Sequence, residues 1–398
     1  MQQNLSDIIL FPKGQSILNM KKLPAKRPFD DDVCEFLNAV ALLIMKDKVA
    51  RKYPDIITFG FFCRKANLEN LKRIHNYESR IGRGLSFHIA PSNVPINFAY
   101  SMVAGLLAGD SVVVRVSTKE FEQTKIICEI LKKAAEQTTS KIEKYIAVVQ
   151  YGHNKEITDS ISALCDVRVI WGGDNTISEI RKSALPPRGI EITFADRYSV
   201  CVLNAEKVLA IKDWNTFSQS FYNDTYLYDQ NACSSPRLIY WVGEKTVICK
   251  AQEAFWSHIF ESIAPKYKIE PVIAVDKLTM DYRVAIEENN VEIVDDNNLF
   301  HRVKLQNLET DITKYMCPGG SFLEYEDTDI SALANIVNKK YQTLSYYGFD
   351  AKDLSNWVID LGLEGIDRIV PIGKTADFTL IWDGYDLIET MSRRIYSE

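Results

Sequence analysis

The segment Leu85-Ser86-Phe87-His88-Ile89-Ala90-Pro91-Ser92-Asn93-Val94-Pro95 leads into the apolar stretch Asn97–Leu107 and then into Ser111-Val112-Val113-Val114-Arg115-Val116. Short β-branched or apolar runs on either side of a longer stretch with helical character predict a strand–helix–strand unit. Two prolines around Asn93 disfavour helix at that point, so a stiff turn is expected between strand and helix. The alternation continues outward. Strand signals at Tyr145–Val149, Val167–Ile170 and Val200–Leu203 are separated by helical character at Glu120–Glu136, Glu156–Ser162 and Thr176–Ser183. This pattern predicts an α/β fold around a mostly parallel sheet, which binds ligands at the carboxyl ends of its strands.

Before this region, Pro28-Phe29-Asp30-Asp31-Asp32 precedes the apolar-rich Val33–Met45. Aspartates suit the unpaired amides of a first turn, so a helix is expected there, with a second at Asn67–Arg80. After a soft boundary near residue 205, helices are expected at Asp213–Tyr222, Lys250–Ser262, Ile330–Lys339 and Ala351–Leu361. Strands are expected near Val272–Val275, Val291–Val294 and Phe322–Tyr325, and a loop over Arg368–Lys374.

A chain of 398 residues with 46% hydrophobic composition can fill the cores of two domains. Its 53 acidic and 47 basic residues are mixed along the sequence without a basic block, so nucleic acid is not an expected partner. No stretch approaches the length of an uncharged transmembrane helix and no signal-type apolar core follows the N-terminus, which predicts a cytoplasmic protein with no integral membrane segment. The eight cysteines include no C-x-x-C pair and the five histidines are isolated, so neither a disulfide framework nor a metal site is expected.

Four segments have the residue types that chemistry needs. The turn at Ala90–Pro95 can aim the Asn93 amide at a developing oxyanion; the alternative is a plain connection capped by Ser92 or Asn93. Arg115, with Ser117 after it, stands near the carboxyl end of a strand, where its guanidinium can meet a phosphate or ribose or remain a surface charge. Trp171-Gly172-Gly173-Asp174-Asn175-Thr176 ends a strand with paired glycines and starts a helix with cap-type residues. That arrangement suits a pyrophosphate or a tight β-to-α turn, and it is not the G-x-G-x-x-G fingerprint. In Asp229-Gln230-Asn231-Ala232-Cys233-Ser234-Ser235-Pro236-Arg237, Cys233 lies among small polar residues before the apolar run Leu238–Val242. It is a candidate nucleophile or a small buried hydrophobe, and Cys317 beside Pro318-Gly319-Gly320 is the second candidate. The aromatic-rich Trp256–Phe260 and Tyr341–Phe349 are open to two readings, an acyl tunnel or ordinary core.

Taken in chain order, the Ala90–Pro95 turn, the Trp171–Thr176 glycine loop, the Gln230–Pro236 segment and Gly365–Lys374 followed by Trp382-Asp383-Gly384 resemble the LuxC-type acyl-thioester reductases of the aldehyde dehydrogenase superfamily. The resemblance implies an aldehyde-dehydrogenase-like α/β fold with a Rossmann-like cofactor domain and an α/β catalytic domain. It implies an N-terminal region and nicotinamide-binding domain over 1–205, a catalytic domain over 206–360 and a segment over 361–398 returning to the domain interface. Through it Cys233 reads as nucleophile and Asn93 as oxyanion donor. Arg115, Ser117, Trp171, Gly172, Gly173 and Thr176 read as cofactor-binding residues. The implied reaction is NADPH-dependent reduction of an acyl thioester to an aldehyde, with NADH the alternative cofactor. The acyl donor would be acyl-CoA, acyl carrier protein or an acyl-transferring protein, and the chain a homo-oligomer. Aldehyde oxidation to an acid, or a non-catalytic acyl- or cofactor-binding subunit, are the competing functions. Relatives that hydrolyse usually have a glutamate before two glycines, where this chain has Phe194-Ala195-Asp196-Arg197-Tyr198.

Overall fold

Most of the short strands assemble into two large sheets, each within its own unit of the computed structural model, which describes residues 5–74, 77–288 and 290–398. The first unit comprises Met1–Ala195 with Leu380–Glu398, and the second Asp196–Thr379.

In the first unit the strands are β1 (Ile9–Phe11), β2 (Arg80–Gly82), β3 (Leu85–Ile89), β4 (Ser111–Val116), β5 (Ile146–Gln150), β6 (Val167–Trp171) and β7 (Ile190–Phe194). Six of them form a sheet in the order β1-β5-β4-β3-β6-β7, parallel except for β1 at the edge. The chain builds outward from β3 to β5 and then crosses to β6, on the other side of β3. The order therefore reverses between β3 and β6, and the loops leaving those two strands diverge at their carboxyl ends. β3 is buried along its whole length, as expected for a strand covered on both faces.

The helix Asn97–Ala108 ends at Gly109, whose φ of 95° is a left-handed C-cap. A Cβ on Gly109 would stand 2.1 Å from the Lys26 carbonyl oxygen, so only glycine fits. Beside it Asp110 is fully buried, and one of its carboxyl oxygens accepts from the amides of Arg83 (2.6 Å) and Gly84 (3.0 Å). The other oxygen is buried with no hydrogen-bond partner. Burial outweighs the two amides and pushes the Asp110 pKa up to about 8.

The second unit contains β8 (Tyr198–Asn204), β9 (Pro236–Val242), β10 (Glu292–Asn297), β11 (Phe300–Lys304), β12 (Ser321–Asp327), β13 (Tyr341–Tyr347) and β14 (Arg368–Pro371). Their order is β10-β11-β12-β9-β8-β13-β14, all parallel except β10. β9, which follows the cysteine segment, is the middle strand. The expected boundary near residue 205 moves to the far side of β8, because Tyr198–Asn204 is hydrogen bonded between β9 and β13. Of the expected C-terminal segment, the part from Leu380 onward returns to the first unit. There β15 (Ile381–Trp382) and β16 (Tyr385–Asp386) form a hairpin, and β17 (Ser392–Arg394) pairs with β2.

Several local expectations change. Val272–Val275 belongs to the helix Pro271–Glu287, with Pro271 in its first turn, where a missing amide costs nothing. Ile330–Lys339 contains only the 3-10 turn Ser331–Asn335, and Arg368–Pro371 pairs with β13 as an edge strand. The helix expected over Asn67–Arg80 runs Lys65–Ile74; Arg80 begins β2, and residues 75 and 76 lie outside the described residues. The Tyr341 and Trp256 side chains are buried in two core clusters, whereas Phe260 is exposed.

The Asp110 value lies above the ordinary carboxyl value of 3.8, so the native state retains this proton as pH rises from about 4 to about 8 and loses relative stability across that window. Asp110→Asn keeps the shape without the titration. Its melting temperature minus that of the unsubstituted protein is expected to increase from pH 5 to about pH 8 and to level off above it. A constant difference in calorimetric scans would refute the assignment.

Candidate active site

In the first unit, the loops after β3, β4 and β6 bring the expected cofactor residues to one edge of the sheet. Asn93 is exposed in the turn after β3. The following helix has Ile96 as its N-cap, so neither Ser92 nor Asn93 occupies the cap position. Arg115 lies over the Tyr151 ring at 4.8 Å, and donates to the carbonyls of Tyr151 and Gly152, all at 3.2 Å. It ties the end of β4 to the loop after β5. Just beyond, the Ser117 hydroxyl accepts from the Lys119 amide at 3.1 Å.

Trp171 ends β6 nearly buried, its ring stacked on Phe194 at 3.7 Å; the Tyr385 ring meets Phe194 edge-on at 5.9 Å. The Trp171 indole N–H donates to Ser101 Oγ at 2.9 Å. Ser101 Oγ is 2.7 Å from His88 Nδ1, His88 Nε2 is 2.9 Å from Ser86 Oγ, and Ser86 donates to the Ser111 carbonyl at 3.2 Å. Only one direction satisfies every group. Ser101 donates to Nδ1 and Nε2–H donates to Ser86, which assigns the neutral Nε2–H tautomer. Burial lowers the His88 pKa to about 3, consistent with a neutral ring.

Gly172 follows, its amide donating to the Phe194 carbonyl at 3.2 Å. A Cβ at Gly172 would come within 3.0 Å of the Thr176 methyl, so the glycine leaves space between loop and helix that a side chain would fill. Gly173 is the extended N-cap of Asp174–Ile180. An extended anionic ligand laid across the diverging loops of β3 and β6 would meet backbone and hydroxyl groups here, and the residues present fit a dinucleotide.

Cys233 belongs to the second unit and Asn93 to the first. Cys233 stands on a turn closed by the Ser235 amide donating to the Ala232 carbonyl at 3.0 Å, immediately before the amino end of β9. Its side chain is half-buried, whereas Ser234, Ser235 and Pro236 are buried. Its carbonyl accepts from Ser199 Oγ at 2.7 Å. The turn is braced by two residues that sequence reasoning left without a role. Gln230, completely buried, donates to the carbonyls of Pro236 (2.9 Å) and Ser321 (3.0 Å), and accepts from the amides of Gly320 and Ser321 (both 2.9 Å). Arg237, also buried, donates to the carbonyls of Cys317 and Gln230 (both 2.7 Å). Their signal was a Gln and an Arg flanking an apolar strand, which must find partners if buried. Arg237 also interacts electrostatically with the Cys233 and Cys317 side chains.

Among the other cysteines, burial pushes the thiols of Cys34 and Cys317 up to about 11 and those of Cys128, Cys165 and Cys201 to about 12. Such thiols stay protonated at neutral pH, which disfavours Cys317 as nucleophile. Among the described residues, no group of three or more His, Cys, Asp or Glu is placed to hold a metal ion, and no helix is long and apolar enough to cross a membrane.

A family model described as acyl-CoA reductase (LuxC) matches residues 13–394. The long-chain acyl-protein thioester reductase of Aliivibrio fischeri is 23% identical over 337 residues, covering 81% of this chain and 65% of that protein. The one from Photorhabdus laumondii subsp. laumondii is 21% identical, covering 78% and 62%. The chain thus spans somewhat less than two thirds of these relatives' length. Solved structures similar to it include an NAD-dependent benzaldehyde dehydrogenase from Corynebacterium glutamicum, with TM-score 0.61, 16% identity and coverage of 95% of this chain and 86% of that one. Another is aldehyde dehydrogenase 21 from Physcomitrella patens, with TM-score 0.63, 12% identity and coverage of 95% and 86%. The fold is aldehyde-dehydrogenase-like.

Replacing Gln230 by Ala would leave the Gly320 amide and Pro236 carbonyl, both buried, and the part-buried amide and carbonyl of Ser321 without these partners, at a cost of about 3 kcal/mol. Urea titration is expected to show that loss for Gln230→Ala and no recovery in Gln230→Glu, which keeps the acceptor but sets a buried carboxyl against the Pro236 and Ser321 carbonyls. Equal stability of Gln230→Ala and the unsubstituted protein would show that the bracing is dispensable.

Proposed function

The chain belongs to the LuxC acyl-CoA reductase family, and on that premise we propose that it reduces an acyl thioester to an aldehyde through an acyl group held on Cys233, with NADPH as reductant. The observation that carries this reading is the presentation of Cys233: a half-buried side chain on a turn locked from both flanks by Gln230 and Arg237.

In the proposed reaction the Cys233 thiolate forms a bond to the thioester carbonyl carbon, and the carrier leaves as its thiol after taking up a proton. Asn93 is assigned to the developing oxyanion. The chemistry a nicotinamide supplies when bound is the hydride. Trp171, Gly172, Gly173, Thr176, Arg115 and Ser117 are the residues proposed to hold it. Reduction of the acyl group leaves a thiohemiacetal on Cys233, and its collapse restores the thiolate and releases aldehyde. NADPH is preferred over NADH because a guanidinium fork at Arg115 suits a 2′-phosphate, although two of its nitrogens already serve the Tyr151 and Gly152 carbonyls.

Transfer to a thiol is favoured over hydrolysis by the lack of a glutamate in Phe194–Tyr198. Glu191, just before that stretch, is paired with Arg168 (2.8 Å) and Arg181 (2.6 Å). The acyl donor is proposed to be an acyl-protein, by likeness to relatives named long-chain acyl-protein thioester reductase, with acyl-CoA and acyl carrier protein as alternatives.

Two measurements test the reading. Intact-mass analysis after incubation with a panel of acyl thioesters is expected to show one acyl group on the protein and none on Cys233→Ser, which should remain folded and form no aldehyde; full turnover by that variant would sink the proposal. Given aldehyde and oxidised cofactor, the protein is expected to form thioester only when a thiol is added. Acid formation without thiol would identify an oxidising dehydrogenase instead.

A further inference from the structure

The glycine loop after β6 hangs on Phe194 by two contacts. The Phe194 carbonyl accepts the Gly172 amide at 3.2 Å, and its ring stacks on that of Trp171 with centroids 3.7 Å apart and planes 19° from parallel. The indole N–H of Trp171 is tied to Ser101 Oγ. One hydrogen bond at its edge leaves a ring free to swing about that bond, so it is the face contact with Phe194 that fixes the plane of Trp171 and the direction in which the loop departs. Phe194 is itself placed weakly by its own strand. It ends β7, the outermost strand on that side of the sheet, with a strand neighbour on one side only, and two residues on the chain enters the second unit.

The support for Phe194 comes from the other end of the chain. Tyr385, on β16, meets the Phe194 ring with centroids 5.9 Å and planes 83° apart, the near-perpendicular arrangement that sets a ring edge against a ring face. Tyr385 is held in turn. The Leu387 amide donates to the Leu380 carbonyl at 2.8 Å, and Asp386 accepts from the Tyr77 hydroxyl at 3.4 Å and caps the helix Leu387–Met391. That helix buries Leu387, Ile388 and Met391 and packs on Asn97–Ala108, the helix that carries Ser101. We propose that Tyr385 is a positioning residue for the cofactor: through the column Tyr385–Phe194–Trp171, the returning C-terminal hairpin holds Gly172 and Gly173 where a dinucleotide can lie against them. The inference rests on the cofactor reading given under the proposed function. It assigns the hairpin an effect on affinity for the reduced nucleotide and none on acylation of Cys233, which belongs to the second unit. The ring of Tyr385 carries the effect, and its hydroxyl does not.

Titration of the whole chain with NADPH and with NADH, without acyl donor and followed by the fluorescence of the reduced nicotinamide, tests the proposal. Tyr385→Ala is expected to weaken the tighter-binding nucleotide about fivefold, and Tyr385→Phe to bind it as the unsubstituted protein does. Intact-mass acylation of Cys233 by an acyl thioester is expected to be the same in all three. Adding Tyr385→Ala to Phe194→Leu is expected to cost nothing beyond Phe194→Leu alone, because the column is already broken. Equal affinity in Tyr385→Ala, a loss that Tyr385→Phe shares, a loss that extends to acylation, or additive effects in the double variant would each overturn the proposal and leave the cofactor reading standing. An unsubstituted protein that binds neither nucleotide removes that reading, and this inference with it.

Discussion

The turn that presents Cys233 depends on buried hydrogen bonds, those of Gln230 above all, with Arg237 beside it. Asp229 and Gln230 both have left-handed backbone, with φ of 50° and 58°, which non-glycine residues adopt at a cost of about 1–2 kcal/mol each. Two such residues in succession persist only where their surroundings overdetermine them. The Gln230 amide donates to the Thr225 carbonyl at 2.7 Å and the Asn231 amide to that of Tyr228 at 2.8 Å, while the Asp229 carbonyl accepts from Gly319 at 2.8 Å and its carboxylate from Tyr267 at 2.9 Å. The Gln230 side chain then spans the entry loops of β9 and β12. Gly320 is required there by its φ of 88°, and a Cβ would stand 2.4 Å from the Leu299 carbonyl oxygen. The cysteine is therefore placed by backbone hydrogen bonds that packing alone would not specify.

The first unit uses the same physics to another end. Its directional chain from Trp171 through Ser101, His88 and Ser86 to the Ser111 carbonyl crosses from β6 to the helix Asn97–Ala108 and on to β3 and β4. A buried polar chain with every donor satisfied rigidifies what it connects, because breaking any link leaves a polar group stranded away from water. What it connects is the point where strand order reverses. Trp171 is held from one side by this chain and from the other by Phe194, so the glycines that follow begin from a fixed position.

Much of this was legible in the sequence where one signal dominated. Leu85–Ile89 and Ser111–Val116 are strands with the bounds their apolar runs predict, because strands buried on both faces need no alternation. Ile9–Phe11 and Ile190–Phe194 went unread: the first is short, and the second has intermediate exposure at Ile190, Glu191 and Thr193, typical of an edge strand. Val272–Val275 was misread because its β-branched residues face outward on a helix, where apolar content says nothing about strand pairing. The roles of Gln230 and Arg237 were hidden for another reason. Their distant partners are backbone groups eighty or more residues away, and a single sequence does not record which carbonyl a side chain will meet.

The two sheets offer their chemistry at opposite ends. In the first unit the candidate ligand residues follow the carboxyl ends of β3, β4 and β6, as open parallel sheets favour, because diverging loops leave a crevice there. In the second unit Cys233 precedes the amino end of β9. At that end the entry loops of β8, β9 and β12 converge: Ser199 donates to the Cys233 carbonyl, and Gln230 joins its own loop to Gly320 and Ser321. A crevice accommodates a ligand that must enter and leave, whereas a nucleophile needs a position that does not shift when the reacting group arrives. Converging loops cross-linked by buried hydrogen bonds meet the second requirement, which distinguishes the strand ends that carry the candidate ligand residues in one unit from those that carry the cysteine in the other.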